Sequence, residues 1–297
     1  MSKEENRIIY YYQTFTGLEP ILEKPCIVTH IHLSSIHFGS NSDNSPYIHL
    51  NDHSPNDPKF DQVWTDINKA HQSGIKIILM VGGAGGAFGD LFRDFDTYYS
   101  MLYDTIKSNP CIEGIDLDVE ESTSLDSIKM LIDRLDKDFG KDFIIAMAPL
   151  GDSLMSDYSG MGGFVYKDLY KSPQGQRINY FNGQFYGNYN LDSYIKAVEN
   201  GYPANKVVIG MVSGDFTGAH FADALATVKS IKNKYGDFGG VFAWEYFDSP
   251  PGSPKNSGLW AQDMYKTIHP YTNYNLAKFM INGLGRLYRY ITNYTKT

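Results

Sequence analysis

The chain has 297 residues, 42% hydrophobic and 14% aromatic, enough to bury a large core and too apolar for an intrinsically disordered protein. Thirty-four acidic against 26 basic residues leave a net charge of -8, a field that repels nucleic acid and anionic membranes, so neither is expected as a partner. Cys26 and Cys111 are the two cysteines, too few for a disulfide-dense scaffold or a Cys-rich zinc site, and two free buried thiols are expected.

The N-terminal residues carry no apolar signal-like stretch, and no apolar run approaches the length of a membrane span, so a soluble cytoplasmic monomer is expected. Eight short β-rich runs then recur at regular intervals. They are Ile8 to Gln13, Ile27 to Ile36, Ile75 to Val81, Ile112 to Val119, Phe143 to Met147, Ile178 to Phe185, Val207 to Val212 and Val241 to Trp244. Between most of them apolar residues fall at helical spacing, as in Phe60, Val63, Trp64, Ile67 and Ala70, or Leu125, Ile128, Leu131, Ile132 and Leu135.

Strands alternating with helices imply parallel pairing through right-handed crossovers. Eight such units in a chain of this size predict an α/β fold, a single-domain (β/α)8 TIM barrel over residues 1–270, with its site at the C-terminal ends of the strands; a doubly wound open sheet is the competing architecture. The polar segment from Ser40 to Pro58 reads as a long loop. Over residues 271–297, Leu276, Phe279, Met280, Leu284, Leu287, Tyr288 and Ile291 predict an amphipathic helix packed on the barrel, or, as a sharper alternative, one that binds a partner or a membrane surface.

The fourth run carries the chemistry. Side chains alternate faces along a strand, so Asp116, Asp118 and Glu120 project together while Ile115, Leu117 and Val119 project to the other side. Three carboxylates lining a poorly solvated interior cannot all stay ionised, so at least one is expected to hold a proton. A carboxylic acid kept neutral at working pH is what a general acid requires, and Glu120 sits where the strand reaches the mouth of the barrel. The competing readings are a row satisfied by buried hydrogen bonds and a Mg²⁺ or Ca²⁺ site; the second is weakened by the lack of a second carboxylate cluster.

The string Gly-Ile-Asp-Leu-Asp-Val-Glu at 114–120 resembles the Asp-Gly-x-Asp-x-Asp-x-Glu signature of glycoside hydrolase family 18, the chitinases and endo-β-N-acetylglucosaminidases. Strand ends elsewhere are similar: Met80-Val81-Gly82-Gly83, Met147-Ala148-Pro149, Gln184-Phe185-Tyr186 and Gly239-Gly240-Val241-Phe242-Ala243-Trp244, so the likeness runs over about residues 8–268. Two positions depart from the pattern: the first motif Asp is Glu113, and the Ser before the glycine pair is Met80. Residue 113 lies in the opposite strand phase to the carboxylate row, so its change is expected to touch local support rather than the reacting centre, whereas the lost serine removes a hydrogen bond beneath the Asp pair.

The resemblance implies a retaining glycosidase that cleaves β-1,4 links of N-acetylglucosamine polymers or N-glycan chitobiose cores. In such enzymes the substrate's own 2-acetamido group is the nucleophile. It assigns Glu120 as acid and then base, Asp118 as the anion that orients the acetamido group, Asp116 as the partner sharing its proton, and Tyr186 as a donor to the acetamido oxygen. Gln184, Trp244, Met147, Tyr12, Asn188 and Gly83 are the expected sugar contacts, and neither metal nor cofactor is required. Glu121 and Glu245 occupy the wrong strand phase and read as helix-capping or supporting groups. The glycine run 82–86 lacks the third glycine of a dinucleotide fingerprint. His30 and His32 share a face with His37 in the opposite phase, which disfavours zinc. The short segment from Val212 to Phe221 leaves no room for an inserted domain and predicts a shallow, open groove. The rival from another class is a lectin-like protein that binds chitooligosaccharide without turnover; a carboxylate-metal hydrolase is a third reading.

Overall fold

The computed structural model describes residues 6–22 and 26–270. Nine strands form one sheet: β1 (Arg7–Tyr12), β2 (His30–Ser40), β3 (Pro46–Leu50), β4 (Lys76–Gly82), β5 (Ile112–Asp118), β6 (Ile144–Met147), β7 (Tyr180–Gln184), β8 (Val207–Val212) and β9 (Gly240–Trp244). All except β3 run parallel. β1 pairs with β9 on one side and β2 on the other, so the eight parallel strands close on themselves and the open-sheet alternative is excluded. Each predicted strand is present, with its ends moved by no more than four residues and those of Val207–Val212 unchanged.

The helices are α1 (Asp61–Gln72), α2 (Phe88–Arg93), α3 (Phe95–Ser108), α4 (Leu125–Phe139), α5 (Gly151–Met155), α6 (Tyr166–Lys171), α7 (Leu191–Glu199), α8 (His220–Lys234) and α9 (Gly258–Ile268). In α4 the side chain of Ser124 caps the first turn by accepting from the Ser127 amide at 3.0 Å, and Gly140 ends the helix at φ +81°. The face between these caps buries Ile128, Leu131, Ile132 and Leu135, each worth roughly 1.5–3 kcal/mol out of water. None of the helices among the described residues is long and apolar enough to cross a membrane.

Strand alternation divides the interior into two cores. Ile9, Tyr11, Ile78, Met80, Ile144, Ala146, Tyr180, Val208 and Phe242 fill the barrel, while Ile8, Tyr10, Tyr12, Leu33, Leu79, Leu117 and Met147 face the helices. Two expectations are corrected here. The segment predicted as a loop from Ser40 to Pro58 contains β3, which pairs antiparallel with the far end of β2 from Ser40↔Pro46 to Ile36↔Leu50. Its alternating Ile48 and Leu50 are buried on the helix side, a signal that the surrounding Asn, Asp and Ser residues masked. The β2–β4 register also shifts between Leu33 and Ile36, so that Leu33, Ile36 and Phe38 share the helix-facing core. That slip reverses the phase assigned to His37, whose Nδ1 meets the Gly86 carbonyl at 2.8 Å.

β8 leads to α8 through residues 213–219 alone, which leaves no inserted domain at that edge. The helix predicted over 271–297 lies outside the described residues.

Candidate active site

β5 carries Asp116 and Asp118 into the barrel and delivers Glu120 at its exit. Asp116 is wholly buried and Asp118 nearly so, while Glu120 is half-buried at the mouth. The open depression above them has a cavity volume of about 140 Å³. Asp118, Glu120, Gln184, Tyr186, Trp244 and Gly83 line it together with Tyr11, Ala84, Ala148 and Phe242. Aromatic rings make one wall: Tyr11 lies 5.1 Å from Phe242 and 5.3 Å from Trp244 between ring centres.

Gln184 joins the two upper carboxylates. Its Nε2 donates to Asp118 Oδ1 at 3.0 Å and to the Ala148 carbonyl at 2.8 Å, and stands 3.4 Å from Glu120 Oε1. Burial holds the Asp118 carboxyl well above the usual carboxylate range, and the charges of Glu120 and Asp116 push it further, against the lowering effect of the Gln184 hydrogen bond. The proton that the sequence demands somewhere in the row therefore settles on Asp118. Burial, followed by the charges of Asp118 and Glu120, also raises the Tyr186 phenol, which stays a hydroxyl donor at the edge of the cavity.

The glycine run shapes the opposite wall. Gly82 adopts φ +98°, and a Cβ there would stand 2.3 Å from the Asp118 carbonyl oxygen; Gly83, at φ +82°, donates its amide to that same oxygen at 2.9 Å. Glu121 turns away from the cavity and accepts from the Ala87 and Phe88 amides at the start of α2, the second at 2.5 Å. Glu245 accepts from the Gln13 and Thr14 amides at 3.0 and 2.9 Å, which ties the exit of β1 to that of β9.

Three of the expected sugar contacts lie elsewhere. Tyr12 and Met147 have the helix-facing phase of their strands, so each packs in the outer core; Tyr12 accepts the Gly17 amide at 3.0 Å, and the cavity is lined instead by their neighbours Tyr11 and Ala148. Asn188 lies past the strand end and donates to Asp152 Oδ1 at 3.1 Å, outside the cavity lining. Glu113 projects outward and lies 3.7 Å from His71, away from the reacting centre as its phase requires.

Beneath the cavity the sequence reading missed a polar cluster. Asp116 Oδ2 accepts from the Tyr11 hydroxyl at 2.6 Å and lies 2.8 Å from His32 Nδ1; Asn182 donates to the same hydroxyl at 2.8 Å, and His32 Nε2 is 3.1 Å from the Tyr180 hydroxyl. The signal was the inward phase of these residues on β1, β2 and β7. No group of three or more His, Cys, Asp and Glu able to hold a metal occurs among the described residues.

The chain resembles a solved fungal endo-β-N-acetylglucosaminidase of glycosyl hydrolase family 18 at 33% identity and a TM-score of 0.80, over 89% of this chain and 99% of that one. A chitinase from Aspergillus fumigatus matches at 31% identity and a TM-score of 0.74, over 89% of this chain and 100% of that one. Among curated proteins, chitinase 2 of Rhizopus oligosporus is 24% identical over 239 residues, 70% of this chain and 40% of that protein, so the chain spans about two fifths of its length. No protein-family model matches. A family member one-third identical and matched along nearly its whole length, with the carboxylate row standing on the equivalent kind of barrel, places the chain in glycosyl hydrolase family 18.

Proposed function

We propose that this chain is a retaining glycosidase that cleaves β-1,4 links beside N-acetylglucosamine, in chitin-type oligosaccharides or the chitobiose core of N-glycans. One observation carries the reading: Asp118 and Glu120 face one open cavity walled by aromatic rings, and a single amide, Gln184, stands within 3.4 Å of both. The relatives' names, a chitinase and an endo-β-N-acetylglucosaminidase, support the same substrate class.

In the proposed reaction Glu120 donates its proton to the glycosidic oxygen as the C1–O bond breaks, and the acetamido carbonyl oxygen of the same sugar bonds to C1. The aglycone leaves as an alcohol, and a cyclic oxazolinium-type intermediate remains. Asp118, its proton passed to Glu120 for that donation, offsets as an anion the positive charge on that ring, while the Tyr186 hydroxyl orients the acetamido group. Water then attacks C1 on the face the aglycone left, the carboxylate of Glu120 takes its proton, and the configuration is retained. Trp244 and Phe242 supply the apolar floor against which the sugar ring stacks.

The test is hydrolysis of a fluorogenic chitotrioside and of a high-mannose glycopeptide by the chain and by Glu120→Gln. Cleavage of either, reduced about 10²–10⁴-fold in the variant, supports the reading and selects the substrate. Binding of chitooligosaccharide with no turnover of either substrate overturns it in favour of a lectin-like protein.

A further inference from the structure

The polar cluster lies beneath the cavity, with Tyr11 alone of its members reaching the lining, and it holds one of the three carboxylates. Asp116 and His32 are both fully buried, with Asp116 Oδ2 and His32 Nδ1 2.8 Å apart. A carboxylate only accepts, so the hydrogen between them sits on Nδ1, and Nε2 is left to the Tyr180 hydroxyl at 3.1 Å. Across the β4–β5 register Asp116 stands opposite Met80, a thioether that donates nothing, where the family pattern has a serine. Asp116 Oδ1 has no hydrogen-bond partner, so the anion depends on what reaches Oδ2.

The surroundings of His32 narrow its role. β1 brings Tyr11 and Arg7, β2 itself brings His30, β4 brings Lys76 at its first residue beside His30, β5 brings Asp118 and Glu120 above, and β7 brings Tyr180; the remaining inward positions of β4 and those of β6, β8 and β9 are apolar. Arg7 is spent over the Tyr180 ring, with its guanidinium 4.3 Å from the ring centre. Burial raises the Tyr11 phenol and lowers the His30 imidazole, so both are uncharged. A carboxylate in such a place keeps its charge only through hydrogen bonds.

Building on the glycosidase reading, we propose that His32 is a positioning residue whose Nδ1–H keeps Asp116 ionised, so that the charge of Asp116 holds the proton on Asp118, beside the reacting sugar. His32 thereby supplies from β2 the donor that position 80 lacks on β4.

The experiment uses the full chain with ¹³Cγ-labelled aspartate, titrated by NMR, with Asp116→Asn and Asp118→Asn assigning the two signals. It compares wild type, His32→Phe and His32→Asn, whose Nδ2 occupies the place of Nδ1; His32→Leu replaces the phenylalanine variant if that one fails to fold. Loss of the donor should raise the midpoint of Asp116 by about 1 pH unit or more, and His32→Asn should restore the wild-type value. The acid limb of kcat/KM, set by ionisation of Asp118, should move the other way, to lower pH, because a neutral Asp116 no longer raises Asp118, and His32→Asn should restore it. An unmoved Asp116 midpoint in a folded His32→Phe, or an asparagine variant that titrates like the phenylalanine one, overturns the proposal. A wild-type chain that cleaves no substrate defeats the glycosidase reading alone, since the NMR arm needs no turnover.

Discussion

Replacing Gln184 with Leu tests the hinge of the site with little change of volume. The side chain is 8% exposed, and its two N–H hydrogens serve Asp118 Oδ1, the Ala148 carbonyl and, at longer range, Glu120 Oε1. A hydrogen bond to a charged group is worth about 1.5–3 kcal/mol, which in a barrier is roughly a 10–150-fold loss of kcat. The sign of the pH effect is fixed by the direction of the bond. Gln184 stabilises the Asp118 anion and lowers a pKa that burial has already raised, so without it the proton is held to still higher pH. Asp118 must be ionised when the oxazolinium charge develops, so the acid limb of kcat should move upward by about one to two pH units, the equivalent of that bond energy. Stranding the buried Ala148 carbonyl should also cost about 1–3 kcal/mol of stability. The assay is kcat against pH on the cleaved oligosaccharide, paired with urea unfolding. If kcat and its acid limb stay in place while stability falls, Gln184 is only a structural bond and the proposed link between the two carboxylates is wrong.

The remaining predictions concern burial and strand phase. Asp118 has a folded-state pKa above its unfolded value, so the stability it contributes is complete below the ordinary carboxylate range and is lost as pH rises through the folded value; Asp118→Asn removes that loss. Urea midpoints of the two proteins should therefore diverge with rising pH in the variant's favour, and parallel curves would count against a protonated Asp118. Met147→Leu, in the helix-facing core, should cost less than about 1.5 kcal/mol and leave turnover unchanged, whereas Ala148→Leu, one residue on, should block the cavity and raise KM. Equal kinetic effects in the two would contradict the assigned phase of β6. Glu120→Gln should bind chitooligosaccharide with nearly wild-type affinity while losing turnover, as calorimetry beside the hydrolysis assay would reveal.

Strand alternation explains why some parts of this molecule can be read in the sequence and others cannot. The eight parallel strands were legible because each is buried on both faces and reads as a near-continuous apolar run. The edge strand β3 was not, since half of it faces outward and its polar neighbours have loop composition. The row of Asp116, Asp118 and Glu120 was legible because acidic residues at period two on a buried strand have few bland explanations. The same rule, applied to β1 and β6, would have selected Tyr11 and Ala148 over Tyr12 and Met147, but in a run of three tyrosines or of apolar residues nothing local marks which phase points inward. Closure supplies that mark: Tyr11 pairs with His32, and His32 lies at Asp116, so the inward phase of β1 is set by strands far away in sequence. His32 itself was dismissed as a zinc ligand because a metal needs several donors close in space. A single histidine opposite a single buried aspartate leaves no spacing pattern along the chain, and its partner, 84 residues away, is brought to it only by the folded barrel.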